Sequence, residues 1–252
     1  YGYAISNVTF SNINYSSSPA INGYLDNSCS SSTCVTEGKS YDLSVSVDNQ
    51  GTQEGLYAVY IDYNDNGTLN DVDETVFTGS SVPGSGIQTS TTSVTIPKNA
   101  TESNLLRMRV INDQLYLDGP CINLWTGEAE DYGIYINPEV SISSQPTNAN
   151  ICVGEDANFS IVSTGVTNFQ WQEDNGSGFK DISNGEKYSG VTTGNLTIKG
   201  TSSGMDSYNY RCVLSNGCDQ SLNSNSVNLN LNEVTDKTVS TDGITIEANN
   251  SN

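Results

Sequence analysis

The sequence predicts an all-β protein built from two tandem β-sandwiches. Short runs rich in β-branched and aromatic residues recur along the chain, and turn-forming pairs such as Asn66-Gly67 and Pro83-Gly84 separate them. No segment keeps a helical hydrophobic period for more than two turns. With 252 residues, the chain is long enough for two domains of ordinary size.

The first domain is expected over residues 1–139. Within it, Tyr41, Leu43, Val45 and Val47 alternate with polar residues, which is the period of a strand with one buried face. Other runs share the strand composition. The expected strands are residues 3–10, 40–47, 56–63, 91–97, 104–111 and 131–136.

Composition limits the chemistry of the chain. Lys and Arg number 9 against 29 Asp and Glu, so the formal net charge is −20 and a nucleic-acid partner is not expected. The chain has no histidine, which removes the commonest general base, the Ser-His-Asp triad and imidazole zinc sites. No stretch is apolar enough to span a membrane. We therefore expect a non-catalytic chain whose partners include cations such as Ca²⁺.

Residues 61–74 (IDYNDNGTLNDVDE) have the pattern of a calcium loop. Calcium takes six to eight oxygen ligands, which such a loop supplies from its positions 1, 3, 5, 7, 9 and 12, with Gly at position 6. Since the flanking residues have strand rather than helix character, this would be a calcium loop on a β-scaffold; an acidic surface turn is the alternative. Counted from Asp62, the positions are Asp62, Asn64, Asn66, Thr68 through its carbonyl, Asn70 and Asp73, with Gly67 at position 6 and Glu74 as the alternative last ligand.

Three motifs follow one another in the first domain: IDYNDNG at 61–67, LRMRV at 106–110 and GEAEDY at 127–132. In this order they resemble the GEVED domain, a β-sandwich module of large secreted bacterial proteins. The resemblance implies attachment to a larger peptidase, polysaccharide-degrading enzyme or surface protein, and it implies no catalytic residue. It also implies an acidic D-x-N-x-D-G loop with a late Glu, which favours Glu74 over Asp73. Asn66 stands where the family tends to have Asp, which would weaken the site.

The second domain, expected over 140–232, resembles the Ig-like repeats of the same kind of secreted protein. Phe159 and Ile161 alternate along one strand, Trp171 supplies the core tryptophan, and Cys212 ends a Tyr-x-Cys motif typical of the tyrosine corner. Ile161 stands where an antibody domain would carry its first cysteine.

The tail, 233–252, is expected to be a linker and the first strand of a truncated further domain, because a lone strand cannot bury its face.

Six cysteines in a chain rich in Ser, Thr and Asn indicate an oxidising, extracellular setting. Cys152 and Cys218 are expected to pair, which leaves Cys212 as a buried thiol. Cys29 and Cys34 enclose four residues, a spacing that suits a small disulfide loop. A bridge from Cys121 to Cys29 or Cys34 is the alternative.

Trp125 precedes the acidic run in a loop rich in Gly, Asn and Thr. A loop tryptophan beside a calcium site suits sugar stacking, and a tryptophan folded onto the core is the alternative. The candidate ligand-binding residues are Trp125, Tyr63, Glu128, Asp131 and Tyr132.

The leading hypothesis is therefore an extracellular, non-catalytic accessory module that binds Ca²⁺ and a glycan or polysaccharide, with the Ig-like domain as a spacer. The alternative is a structural or adhesion segment of a bacterial cell-surface protein in which calcium only rigidifies the sandwich. Exposure of Trp125 would favour the first hypothesis, and burial would favour the second.

Overall fold

A computed structural model of the chain describes residues 2–19, 22–114 and 116–233, and it is built almost wholly of strands. The predicted all-β class is confirmed. Among these residues, the helical structure consists of one 3-10 turn, Ser203–Met205. No helix in the described ranges is long and apolar enough to cross a membrane.

The chain divides into two compact units. Unit 1 comprises the described residues up to Val140 together with 164–167 and 215–221. Unit 2 comprises 141–163, 168–214 and the described residues from Leu222 onward. The expected opening strand of a further domain falls within 234–252, which lies outside the described residues.

Unit 1 is a sandwich of two sheets. One sheet has the order β2-β1-β5-β8, and the other has the order β3-β10-β9-β6-β7 with β4 also paired to β10. The six strands expected from the sequence are all present, whereas four shorter or more polar strands were not expected. The strands are β1 Tyr3–Phe10, β2 Ile13–Ser16, β3 Tyr24–Asp26, β4 Ser32–Thr36, β5 Ser40–Asn49, β6 Gly55–Ile61, β7 Thr75–Ser81, β8 Gly86–Thr95, β9 Leu105–Gln114 and β10 Glu128–Asn137.

The core of unit 1 lies between these sheets, where alternate residues of each strand meet. Leu43, Val45 and Val47 of β5 face Met108 of β9 and Tyr132 of β10 in one buried cluster. Because side chains alternate across a strand, the residues between them on β9 and β10 point to the outer face of the second sheet. That outer face carries the candidate site.

Two loops cover this outer face. The 62–74 loop joins β6 to β7, and the 116–127 loop leads from β9 into β10. Leu69 of the first loop lies in a small buried cluster with strand residues that include Tyr60 and Ile111. Leu117 and Leu124 of the second loop pack against the same cluster. The two loops therefore share one apolar anchor on the sheet.

Unit 2 is a smaller set of sheets around Trp171. Its Nε1–H donates to the carbonyl of Thr193 at 2.9 Å, and its ring lies near Phe159, which stacks on Tyr210. The sheets are β12-β21-β19-β15-β16 with β20 on β19, β13-β18-β17, and the pair β11-β14. The strands are β11 Ser141–Ser144, β12 Ala149–Cys152, β13 Ala157–Ser160, β14 Val162–Thr164, β15 Asn168–Asp174, β16 Lys180–Asp181, β17 Tyr188–Ser189, β18 Asn195–Ile198, β19 Asn209–Ser215, β20 Ser221–Asn223 and β21 Val227–Asn232.

The disulfide pairing differs from both expected pairs. Cys34 on β4 bonds to Cys218 across 184 residues of sequence, with a Cα–Cα distance of 5.6 Å. The expected pairs Cys29–Cys34 and Cys152–Cys218 are therefore wrong, because Cys34 and Cys218 are brought together by contacts between segments distant in sequence. Segment 215–221 groups with unit 1, where the side-chain amide of Asn216 donates to the hydroxyl of Thr36, two residues beyond Cys34.

The other cysteines are free thiols in the structure. Cys29 and Cys121 are exposed, and Cys152 is half-buried. Cys212 is fully buried, and that burial raises the pKa of its thiol to about 11. A thiol in such surroundings behaves as a small apolar side chain.

Candidate functional site: an oxygen-rich loop and an aromatic cleft

The 62–74 loop begins at Asp62, whose carboxylate organises the turn that follows. Asp62 is buried, and its backbone N–H donates to the carbonyl of Arg107 on β9 at 2.9 Å. Its Oδ1 accepts the N–H of Asn66 at 3.2 Å, and its Oδ2 accepts the N–H of Gly67 at 3.1 Å. Gly67 has a φ of +82°, a conformation that favours glycine at this sharp turn.

The middle of the loop is a set of amide and carboxylate oxygens. Asn64 and Asn66 each donate a side-chain amide to Oδ2 of Asp71, at 2.6 and 2.8 Å. Oδ1 of Asn66 accepts both the N–H and the hydroxyl of Thr68. Asp71 was not among the expected ligands because it falls at position 10 of the loop count. Its contacts with positions 3 and 5 bring it into the same group.

The end of the loop distinguishes the two candidate last ligands. Asp73 is exposed, whereas Glu74 is 2% exposed and accepts the N–H of Asp71 on its Oε2 at 3.3 Å. Burial raises the pKa of Glu74, and the nearby carboxylates of Asp62 and Asp71 raise it further. Within the described residues, Oε1 of Glu74 is buried and has no hydrogen-bond partner.

These features test whether the residues fit a calcium ion. A buried carboxylate oxygen without a donor, next to two further carboxylates, is an arrangement that a hard cation would satisfy. Within the described residues, no three or more Asp, Glu, Cys or His side chains are grouped closely enough to hold a metal. The side-chain amides of Asn64 and Asn66 contact Asp71 rather than Glu74. Amide and carboxylate oxygens are the kind of donor that calcium takes, and calcium binding by this loop stays a prediction.

The structure places most of the expected ligand-binding residues in the interior. Tyr63 and Tyr132 belong to the core of unit 1, and Glu128 and Asp131 are also buried. Their side chains are therefore turned away from solvent, and the expectation that they bind a ligand stays a prediction. The motif GEAEDY lies on β10, a central strand that is buried on both faces along most of its length.

The buried acidic residues of β10 instead hold the strands together. Asp131 receives two hydrogen bonds from the guanidinium of Arg109, both at 2.7 Å, and one from the hydroxyl of Tyr24. Arg107 lies 3.4 Å from the same carboxylate. Glu128 accepts the N–H of Ile5 on β1. Ion pairs and capped backbone groups of this kind are structural.

Trp125 is the expected residue that remains available to a ligand. Its side chain is 89% exposed, whereas its backbone N–H donates to Oδ2 of Asp113 at 2.8 Å. Asp113 is 1% exposed, and its Oδ1 also accepts the N–H groups of Gln114 and Thr126. A buried carboxylate thus fixes the backbone of the loop, and the indole projects into solvent.

Trp125 borders a cleft of about 380 Å³. That volume falls in the range of small-molecule sites. Tyr116, 79% exposed, lines the same cleft and was missed because its stretch, 114–118, has no recognisable motif. The remaining lining residues are Asp113, Gln114, Asp118, Ile122 and Asn123.

The cleft loop and the 62–74 loop are attached toward opposite ends of β9. Asp62 bonds to Arg107, and Trp125 bonds to Asp113, six residues further along that strand. Leu69 and Leu124 nevertheless bring the two loops together on one cluster. That Trp125 lies beside the calcium site stays a prediction.

The comparisons with known proteins agree with this architecture. Residues 56–135 match the GEVED domain family. The N-terminal eight Ig domains of Down Syndrome Cell Adhesion Molecule match 79% of this chain at 15% identity and a TM-score of 0.50, and the chain spans 23% of that structure. A three-Ig fragment of titin matches 90% of this chain, and 66% of that fragment, at 11% identity and a TM-score of 0.46.

No curated protein matches the chain. At such identities the structural likeness shows the fold alone. The chain combines a GEVED-type sandwich with an Ig-like sandwich, as its motifs predicted. This combination fits a non-catalytic β-sandwich module of a larger multi-domain chain.

Proposed function

We propose that this chain is an extracellular, non-catalytic module of a secreted bacterial protein, and that unit 1 binds a polysaccharide at the cleft beside Trp125. The observation that carries the proposal is the 89% exposure of an indole whose backbone is fixed by a buried carboxylate. A large aromatic side chain left in water forgoes the free energy of burial, so an exposed one on a fixed loop is suited to contact a ligand.

The geometry of the cleft supports a sugar as that ligand. A pyranose ring has an apolar face that packs against an aromatic ring and an edge of hydroxyls that form hydrogen bonds. Trp125 and Tyr116 supply aromatic surface, and Gln114 and Asn123 supply amide donors and acceptors. The loop is fixed before binding, which reduces the entropy lost on association.

The 62–74 loop would bind Ca²⁺ for stability. Asp62, Asn64, Asn66, Asp71 and Glu74 would hold the ion together with the carbonyl of Thr68. The ion would supply positive charge to a group of carboxylates that repel one another. Its support is the buried Oε1 of Glu74, which has no hydrogen-bond partner among the described residues.

Substitutions in the 62–74 loop test the calcium proposal. Asp62→Ala and Glu74→Gln should abolish the rise in melting temperature that Ca²⁺ causes in the wild-type chain, relative to EGTA. Asp73→Ala is the matched control: because Asp73 is exposed, its variant should keep the full shift. A wild-type melting temperature that is equal in Ca²⁺ and EGTA would contradict the proposal, as would loss of the shift in Asp73→Ala alone.

Affinity electrophoresis tests the polysaccharide proposal. The wild-type chain should be retarded in gels that contain one or more polysaccharides of a panel, and Trp125→Ala should migrate as it does in a gel without polymer. Tyr135→Ala, which removes an exposed aromatic residue of β10 away from the cleft, should be retarded like the wild type. Retardation that persists in Trp125→Ala would place binding elsewhere.

The alternative function is a structural or adhesion segment with a purely structural calcium site. It is favoured by the packing of Leu69 into the small buried cluster that the two loops share. This alternative predicts a calcium-dependent melting temperature and no retardation by any polymer of the panel.

A further inference from the structure

The charged groups around the cleft are all acidic. Asp113 and Asp118 are the carboxylates that line it, and within the part of the chain that the structure describes no Lys or Arg lines it. Asp113 is buried and its oxygens accept the backbone N–H groups of the loop, so its charge is already compensated. Asp118 is exposed. An anionic ligand would meet an uncompensated negative charge and no positive one.

The basic residues of unit 1 do not relieve this repulsion. Arg107 and Arg109 both pair with Asp131. Lys39 pairs with Asp219, and Lys98 pairs with Glu139. These four are all the Lys and Arg residues that the sequence places in unit 1. None of the four is among the residues that line the cleft.

We infer that the cleft takes a neutral polysaccharide, with its sugar rings stacked on Trp125 and Tyr116. This inference rests on the proposed function and names its ligand class. Asp118 accepts hydrogen bonds from sugar hydroxyls, since an ionised carboxylate is an acceptor only. The same carboxylate repels sulfate and uronate groups. One surface thus attracts neutral chains and rejects anionic chains.

Matched polymers test the inference with the whole chain. Affinity gels are cast with hydroxyethylcellulose, laminarin, galactomannan or arabinoxylan as neutral polymers. The anionic set is carboxymethylcellulose, polygalacturonate, alginate and carrageenan. The first polymer of each set has the same backbone. We expect retardation by at least one neutral polymer, loss of it in Trp125→Ala and Tyr116→Ala, and no retardation by the anionic set.

The outcomes separate the two proposals. Retardation by an anionic polymer as strong as by any neutral one, lost in Trp125→Ala, would overturn the neutral assignment and leave the binding function standing. No retardation by any polymer would overturn both. As a second readout, calorimetric titration with oligosaccharides of the retarding polymer should give affinities in 0.05 and 0.5 M NaCl that agree within about twofold, because screening affects only charged pairs.

Discussion

The 62–74 and 116–127 loops cover the same face of the same sheet, yet they direct different chemical groups toward solvent. Each loop is anchored by leucine side chains in one shared cluster. The 62–74 loop turns its oxygens toward its own centre, where Asn64 and Asn66 contact Asp71. The 116–127 loop turns its polar backbone inward to Asp113 and presents Trp125 and Tyr116 to solvent.

In both loops, the residues that anchor the loop on the sheet differ from those that form its candidate binding surface. Leucines bury apolar surface and so determine where each loop lies, and this requirement is common to the two. The residues between the leucines are free to vary. They form an oxygen-rich centre in one loop and an aromatic platform in the other, on one scaffold.

The largest effect on the stability of unit 1 is expected where the 116–127 loop meets the sheet. A Cβ at Gly127 would lie 1.8 Å from the carbonyl oxygen of Asn112 and 2.6 Å from Cα of Asp113. Both are backbone atoms that cannot move aside cheaply, so Gly127→Ala should lower the free energy of unfolding by about 3 kcal/mol, measured by urea denaturation. Gly2→Ala, whose Cβ would make only ordinary contacts, should change it little.

If Gly127→Ala has the stability of the wild type, the 116–127 loop does not approach the backbone of β9 as closely as the structure shows. Loss of stability in Gly2→Ala of the same size would mean that any added methyl group is harmful in unit 1. Either result would contradict the inference that the close backbone contact at Gly127 holds the 116–127 loop against the sheet.

A moderate effect is expected from the shared anchor. Leu69→Ala should lower the free energy of unfolding by about 2 kcal/mol, the low end for a buried leucine because the cluster is small. Val72 lies in the same loop and is 97% exposed, so Val72→Ala is the matched control and should be within about 0.5 kcal/mol of the wild type. Thermal and urea unfolding both report the difference.

Equal effects of Leu69→Ala and Val72→Ala would show that the 62–74 loop is not anchored on the sheet. A Leu69→Ala variant that also loses retardation by polysaccharide, while still folded, would show that the two loops are coupled through their common cluster.

Two buried glutamates, one in the 62–74 loop and one inside the sandwich, differ in their surroundings. Glu74 and Glu130 each have a buried Oε1 that lacks a hydrogen-bond partner within the described residues. Glu74 lies among the oxygens of the 62–74 loop, whereas Glu130 contacts the hydroxyl of Tyr132 inside the sandwich. Burial raises the pKa of Glu130, and the charge of Glu128 raises it further.

A carboxyl with a raised pKa makes stability depend on pH. Between the unfolded pKa and the higher folded one, the folded state holds a proton that the unfolded state has released, so stability falls as pH rises. Glu130→Gln should flatten this fall as the pH rises above 4.5 in urea titrations, equally in Ca²⁺ and EGTA. Glu54→Gln, which removes an exposed carboxylate, is the control. A Glu130→Gln effect that appears only with Ca²⁺ would assign Glu130 to the metal site.

The sequence was sufficient to predict the parts of the fold that depend on local patterns. The alternation in β5 and the aromatic runs of β6 and β15 predicted two all-β units, because burial of one strand face leaves a period of two. The edge strands β2, β3, β4 and β7 were missed. These strands are short, polar or partly exposed, so they form by pairing with neighbouring strands rather than through their own composition.

The candidate site was predictable only where spacing along the chain fixes geometry. A turn with Gly67 brings Asp62 and Asn66 together regardless of the rest of the fold, so those residues were identified. The burial of Glu128, Asp131 and Tyr132 depends on the central place of β10, which no local pattern reveals. The Cys34–Cys218 bond depends in the same way on contacts between residues distant in sequence.

The smallest effect on stability is expected for Trp125→Ala, and the other tryptophan, Trp171, provides the contrast. Trp125→Ala should leave the free energy of unfolding within about 0.5 kcal/mol of the wild type, because its indole buries almost nothing. Trp171→Ala removes a ring that is 0% exposed and should cost about 3 kcal/mol or more in unit 2. Urea unfolding followed by far-ultraviolet circular dichroism avoids relying on tryptophan fluorescence, which both substitutions change.

A large loss of stability in Trp125→Ala would mean that the indole packs on the protein in solution. The chain would then lack an aromatic platform, and the 116–127 loop would resemble the 62–74 loop as a purely structural cover. A neutral effect on stability joined to a loss of polysaccharide retardation is the pair of results that a binding residue must give. These two results together distinguish a side chain that contacts a ligand from one that packs on the protein. The 116–127 and 62–74 loops are expected to differ in this respect.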